Sequence, residues 1–251
     1  MGRDRVARLL LALACMSAVG CGADGGGGGT GPPVTTTAAT REFTNPVLTG
    51  NFADPHVLKV GDTWYAYATG DLVANLQVAR SADLVRWERL DDALPELPEW
   101  SVLQKGLTWA PEVARTPASL GLRNDAAWEG DLIEAPTLWR DGDTYYLFYS
   151  ANDYGSTGYA VGYATAKRVL GPYRDGPGNP ILRSRGRAAG PGGQAVVRDA
   201  DGGLWLAYHA WDSSAVGDEA GGQRSMWLDR LRFEDGRPQV EGPTDGPQEA
   251  P

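Results

Sequence analysis

The stretch that decides the fold is Glu129 to Ser150, EGDLIEAPTLWRDGDTYYLFYS. A carboxylate beside a proline (Glu134-Ala135-Pro136) leads into a polar tight turn at Arg140 to Asp143, and the turn leads into an aromatic strand, Tyr145 to Tyr149. The chain contains this pattern twice. Setting Pro55 over Pro136 brings Asp54-Pro55 to within one position of the later acid. It also lays Gly61-Asp62-Thr63 on Gly142-Asp143-Thr144, and Trp64 to Tyr67 on Tyr145 to Phe148. A repeated strand-turn-strand unit marks an array of small sheets. Two copies that each open on an acid suggest a paired-carboxylate site.

Working outward, His56 to Val60, Thr63 to Thr69, Leu76 to Ser81 and a turn closing on Trp87 predict about four short antiparallel strands in ~35 residues, the size of one propeller blade. Thr108-Trp109-Ala110-Pro111-Glu112 starts the pattern again, but the chain then reads Thr116-Pro117-Ala118-Ser119 where the other copies have Gly-Asp and an aromatic strand. The Glu134 copy continues through Tyr159 to Ala164 and closes on Gly171-Pro172-Tyr173. A last copy runs Gly193 to Val197, a turn over Asp199 to Gly203, Leu204 to Ala210 and an outer strand Ser225 to Phe233, followed by a polar tail. The turn at Asp199 to Gly203 lacks the spaced ligands of a calcium loop and reads as a hairpin turn.

Composition fits a packed globular core: 42% hydrophobic, 22% charged, and rich in Gly, Pro, Trp and Tyr, which favour turns and aromatic strands over helices. The formal charge of −9 leaves no electrostatic footprint for nucleic acid. Arg3, Arg5 and Arg8 before the apolar run Leu9 to Val19 predict a secretory signal over residues 1–20. Its end, Ser17 to Cys21, resembles a bacterial lipobox, so Cys21 is the expected lipidation site and the expected location is the cell envelope. Residues 21–43 read as a Gly/Thr/Pro-rich flexible linker, 44–245 as the folded domain and 246–251 as a tail. Cys15 would leave with the signal, so no intramolecular disulfide is expected.

With two histidines, His56 and His209, and one cysteine left after export, a zinc site or a Cys-His nucleophile has too few parts. Tyr154-Gly155-Ser156-Thr157-Gly158 has the wrong spacing for a serine elbow and reads as a turn. That leaves carboxylates. Inner strands of propeller blades run along one central channel, so acids at their starts meet at one mouth. Asp54 and Glu134 stand at matching register before an aromatic strand, as a glycosidase pair would require.

The motifs Phe52-Ala53-Asp54-Pro55, Trp109-Ala110-Pro111-Glu112-Val113, Glu134-Ala135-Pro136 with Tyr145 to Ser150, and Gly190-Pro191-Gly192-Gly193-Gln194 through Trp205 to His209 resemble the successive blade motifs of glycoside hydrolase family 43. The resemblance covers about residues 44 to 242. It implies an all-β, five-bladed propeller that cleaves arabinan- or xylan-type glycans with inversion, as an α-L-arabinofuranosidase or arabinanase, or else a β-xylosidase. It makes Asp54 the general base and Glu134 the general acid. Arg224 falls where relatives bind sugar, Phe52 and Trp109 become candidate stacking walls, and His209 a substrate-side residue that in some relatives helps hold a channel cation such as calcium; no cofactor is required. The family's third acid, an Asp that orients the general acid, has no counterpart motif. Asp125 and Asp131 are nearby but stand outside it, and the interval from Arg115 to Glu134 is far shorter than two blades at ~40 residues each. The expectation is therefore an incomplete propeller, short by one to two blades. A glycan-binding propeller remnant is the alternative, and a retaining fructan-hydrolysing propeller a sister possibility.

Overall fold

In the computed structural model the described residues are 41–97, 108–111 and 126–251. The signal, Cys21 and most of the linker, together with Glu112, Arg115 and Asp125, lie outside them. No helix among the described residues is long and apolar enough to cross a membrane.

A short strand β1 (Glu42–Phe43) is followed by three antiparallel four-stranded sheets, each wound in simple chain order. Blade I is β2 (His56–Val60), β3 (Thr63–Ala68), β4 (Gln77–Ser81) and β5 (Trp87–Arg89). Blade II is β6 (Ile133–Asp141), β7 (Thr144–Ala151), β8 (Ala160–Ala166) and β9 (Arg174–Asp175). Blade III is β10 (Ala188–Arg198), β11 (Leu204–Asp212), β12 (Ser225–Glu234) and β13 (Arg237–Val240), and the chain ends on β14 (Gln248–Glu249). Local chemistry explains the hairpins. In blades I and II the turn residues Gly61 (φ 59°) and Gly142 (φ 56°) each take the positive φ that a tight two-residue connection requires at its first position. In blade III the Asp199 carboxylate accepts the N–H groups of Asp201 and Gly203 and the indole N–H of Trp205, which makes the turn a hairpin built on a side chain.

Alternation places the core. In β3, TWYAYA, every second residue is buried. Trp64, Ala66 and Ala68 pack with Val197, Trp205 and Leu228 of blade III, while Tyr146, Phe148 and Tyr163 of blade II meet Leu231 and Phe233. The inner strand β10 thus lies against both β2 and β6. The opposite face of blade II is covered by Trp128, stacked on Tyr149 with centroids 5.6 Å apart. Three four-stranded sheets among the described residues agree with an incomplete wheel.

The ends of the domain differ from expectation. Glu42 and Phe43, placed in the linker by sequence, pair with Glu249 and Gln248, placed in the tail. Arg237–Val240, inside the expected 44–245 domain but given no strand by the sequence pattern, is the fourth strand of blade III. The reason is a buried polar latch that short-range pattern does not reveal. Asn45 exchanges two hydrogen bonds of 2.9 Å with the backbone of Leu228, and Asp229 accepts from Tyr208 (2.6 Å), Asn45 and Gln248.

Candidate active site

One backbone device is repeated at the mouth of the wheel. Asp54 (φ 54°), Ala110 (φ 48°), Ala135 (φ 52°) and Gly193 (φ 57°) all occupy the left-handed region, each immediately before Pro55, Pro111, Pro136 or Gln194. For the three non-glycine residues this conformation costs about 1–2 kcal/mol apiece, a strain the surrounding packing must hold. The repeat also explains the one-position offset between the acids: Asp54 stands on the left-handed residue itself, and Glu134 stands just before it. Behind the device the ladders are displaced between Glu134 and Thr137 and between Gly192 and Ala195, so the strand starts turn toward a common cavity. That cavity, about 110 Å³, is lined by Asp54, His56, Pro111, Pro136, Thr137 and Gln194 among others.

Asp54 is held on every side. Its Oδ2 accepts the Thr69 hydroxyl at 2.6 Å and lies 3.9 Å from Arg224 Nη1. Its backbone N–H donates to His209 Nδ1 at 3.0 Å. Burial pushes the carboxyl up, but the His209 imidazole, the Arg224 guanidinium and the Thr69 hydroxyl more than reverse that, leaving it well below the ordinary carboxylate range. His209 is itself pushed down by burial. His209 Nδ1 lies 3.0 Å from the Asp54 N–H and 3.3 Å from Asp54 Oδ1, so one ring nitrogen meets both the backbone and the carboxyl of this residue. Thr69 also accepts the Ala110 N–H at 2.9 Å, which fixes the Trp109 segment to Asp54.

Glu134, half-buried, accepts the Tyr159 hydroxyl on Oε1 at 2.8 Å. Tyr159 in turn lies parallel to His209, with centroids 5.8 Å apart and planes 6° apart. The two acids therefore flank one Tyr-His stack, and both carboxylate charges act on the Tyr159 phenol, which burial first and Glu134 next push well up. Gln194 staples blade III to blade II at this level: its Oε1 accepts from Ser150, its amide donates to the Ala135 carbonyl, and its own carbonyl accepts from Thr137.

The structure brings Asp54, Glu134, Arg224 and His209 to one place, with two corrections of role. Phe52 offers no wall to a sugar: it is 0% exposed, packed among Leu48, Val57 and Trp64, with the Arg89 guanidinium over its ring. His209, also fully buried, lies beneath Asp54, with Nδ1 against both its backbone N–H and its Oδ1. Trp109 is 67% exposed, and the Arg224 guanidinium lies over the rings of Tyr154 and Trp211. Among the described residues no three of His, Cys, Asp and Glu converge, and His209 Nε2 is buried without a hydrogen-bond partner.

Sequence reasoning missed Thr69, Ser150, Gln194 and Tyr159. The first two carried a signal, since Thr69, Ser150 and His209 share one register at the end of the second strand of each blade, and each touches an inner-strand start. Tyr159 precedes β8 and has no such repeat partner.

Among the described residues, three four-stranded sheets of simple antiparallel order, with Asp54 on the rim cavity and Glu134 just before its Ala135-Pro136 wall, form a β-propeller arrangement. The family model described as glycosyl hydrolases family 43 matches residues 43–118 and 116–238, and the chain belongs to that family. It is 33% identical over 181 residues to an extracellular endo-α-(1→5)-L-arabinanase of Thermotoga petrophila, covering 63% of this chain and 33% of the relative. It is 27% identical over 189 residues to a β-D-galactofuranosidase of Aspergillus niger, covering 73% of this chain and 49% of the relative. The chain thus spans from a third to a half of the length of these two relatives. Among solved structures, a thermostable family-43 glycoside hydrolase superposes with a TM-score of 0.71 at 27% identity, over 83% of this chain and 99% of that one.

Proposed function

We propose that the protein is an exported glycoside hydrolase that cleaves arabinose- or xylose-containing glycans with inversion, tethered to the membrane through a lipid on Cys21. The observation that carries this reading is the placement of Asp54 and Glu134 on either side of the Tyr159-His209 stack. The substrate class follows the relatives, among which arabinan-cleaving enzymes recur.

In the proposed reaction Asp54, held as the carboxylate by its neighbours, takes a proton from water as the water oxygen bonds to the anomeric carbon. Glu134 gives its proton to the glycosidic oxygen as the carbon–oxygen bond breaks. Inversion requires the two carboxyls ~6.5–9.5 Å apart with the water between them. Arg224, already beside Asp54, would hold a sugar hydroxyl, and exposed Trp109 would stack on a ring face.

The test is hydrolysis of arabino-oligosaccharides and aryl arabinofuranosides by the purified protein and by Glu134→Gln. The reading expects turnover by the wild type and a loss of about 10²–10⁴-fold in the variant; an inert wild type, or a variant with full activity, overturns it. A glycan-binding remnant is the second reading, and one observation favours it: Asp131, an acid close to Glu134 in sequence but outside the motif of the third carboxylate, is exposed. Sugar affinity without turnover would support it.

A further inference from the structure

Among the described residues the side-chain hydrogen bond to Glu134 comes from Tyr159. An acid that must deliver a proton to one oxygen needs one carboxyl oxygen occupied and the other free, and needs its plane held still. We propose that Tyr159 is the positioning residue for Glu134: its hydroxyl occupies Oε1, so that Oε2 carries the proton to the leaving group. This inference rests on the glycosidase reading of the site.

Three features of the structure support the assignment. The ring sits in a cradle that only glycine leaves open, since a Cβ at Gly192 would stand 2.0 Å from Tyr159 Cε1. That cradle fixes the ring from the blade III side, while Tyr159 itself belongs to blade II, so the phenol position is set by the same interface that aligns the two strand starts. Its face lies on His209, which holds the Asp54 N–H, so a displacement of Tyr159 would move both carboxylates relative to each other. Finally, burial and the Glu134 charge keep the phenol protonated at any working pH, so it remains a donor throughout. Neighbouring Ser150 cannot substitute for it, because Ser150 Oγ donates to Gln194 and accepts from the Gly193 N–H.

Tyr159→Phe removes the hydroxyl and keeps the stack. The measurement is kcat on an unactivated arabinobioside and on a dinitrophenyl arabinofuranoside, whose leaving group needs no proton. Loss of a charge-assisted hydrogen bond to the acid should widen the ratio of the two rates by about tenfold or more. The basic limb of the kcat profile on the unactivated substrate should also move up. Incorporation of 3-fluorotyrosine at position 159, a stronger donor of nearly the same shape, should move that limb the other way. A ratio that stays within about twofold of the wild type, with both rates falling together or neither falling, overturns the inference and leaves the glycosidase reading standing. A wild type inert toward both substrates overturns the reading and the inference with it.

Discussion

Gly193 and Asp54 are in contact so close that a Cβ on the glycine would stand 2.5 Å from Asp54 Oδ1 and 2.7 Å from His209 Nδ1. Gly193 also adopts φ 57°, where any other residue is strained. Both costs fall on Asp54, the proposed base. Gly193→Ala should therefore lower kcat/KM by at least about 10²-fold through displacement of Asp54, with a stability loss of about 1–2 kcal/mol from the backbone alone. Kinetics paired with denaturant unfolding measures both. A variant with wild-type kcat/KM would show that Asp54 is not held by this contact.

Thr69 ties Asp54, the proposed base, to the Trp109 segment, donating to Asp54 Oδ2 and accepting from Ala110. The Asp54 carboxyl is depressed, so its carboxylate form persists until the pH falls well below the ordinary carboxylate range. Thr69→Val removes one of the groups that depress it, so the acidic limb of kcat/KM should move to higher pH, by about one unit. By the same linkage the stability that Asp54 contributes above its unfolded pKa would be lost at a higher pH on acidification than in the wild type. A pH–rate profile of the variant is the check, and an unmoved acidic limb would count against Asp54 as the titrating base.

Much of the blade architecture was legible because it repeats. The Pro55-Pro136 alignment located two inner strands, and the turn glycines located their hairpins, since a tight connection needs positive φ at one position whatever surrounds it. Both acids were visible for the same reason. What escaped was long-range: β13, β1 and β14 exist because Asn45, Asp229 and Gln248 meet inside the fold, and no local pattern encodes that meeting. Phe52 looked like a wall because it stands two residues before Asp54, yet the segment there is not strand and its ring packs among Leu48, Val57 and Trp64. Tyr159 went unnoticed because it stands one residue before its strand, outside every repeat.

The latch at the ends of the domain should respond to pH in the direction opposite to most carboxylates. Asp229 is fully buried, and burial pushes it up to about 6 from 3.8, against the hydrogen bonds of Tyr208, Thr244 and Gln248 that pull it down. A carboxyl raised in the folded state contributes its full stability below the unfolded pKa and loses it as pH rises through about 6. The loss amounts to about 3 kcal/mol at most. Asp229→Asn, uncharged at every pH, should lack that decline. Unfolding free energies of wild type and variant at about pH 4 and about pH 7 should diverge in the variant's favour at the higher pH. Parallel curves would show that Asp229 titrates normally.

The relationship between the two acids is tested most directly by the stereochemistry of a single turnover. Proton NMR of the first sugar released from an aryl α-L-arabinofuranoside should show the β-anomer, formed by water that Asp54 delivers from the face opposite the bond that Glu134 protonates. Initial appearance of the α-anomer would mean a covalent or same-face route and would contradict the assignment of Asp54 as base to water and Glu134 as acid.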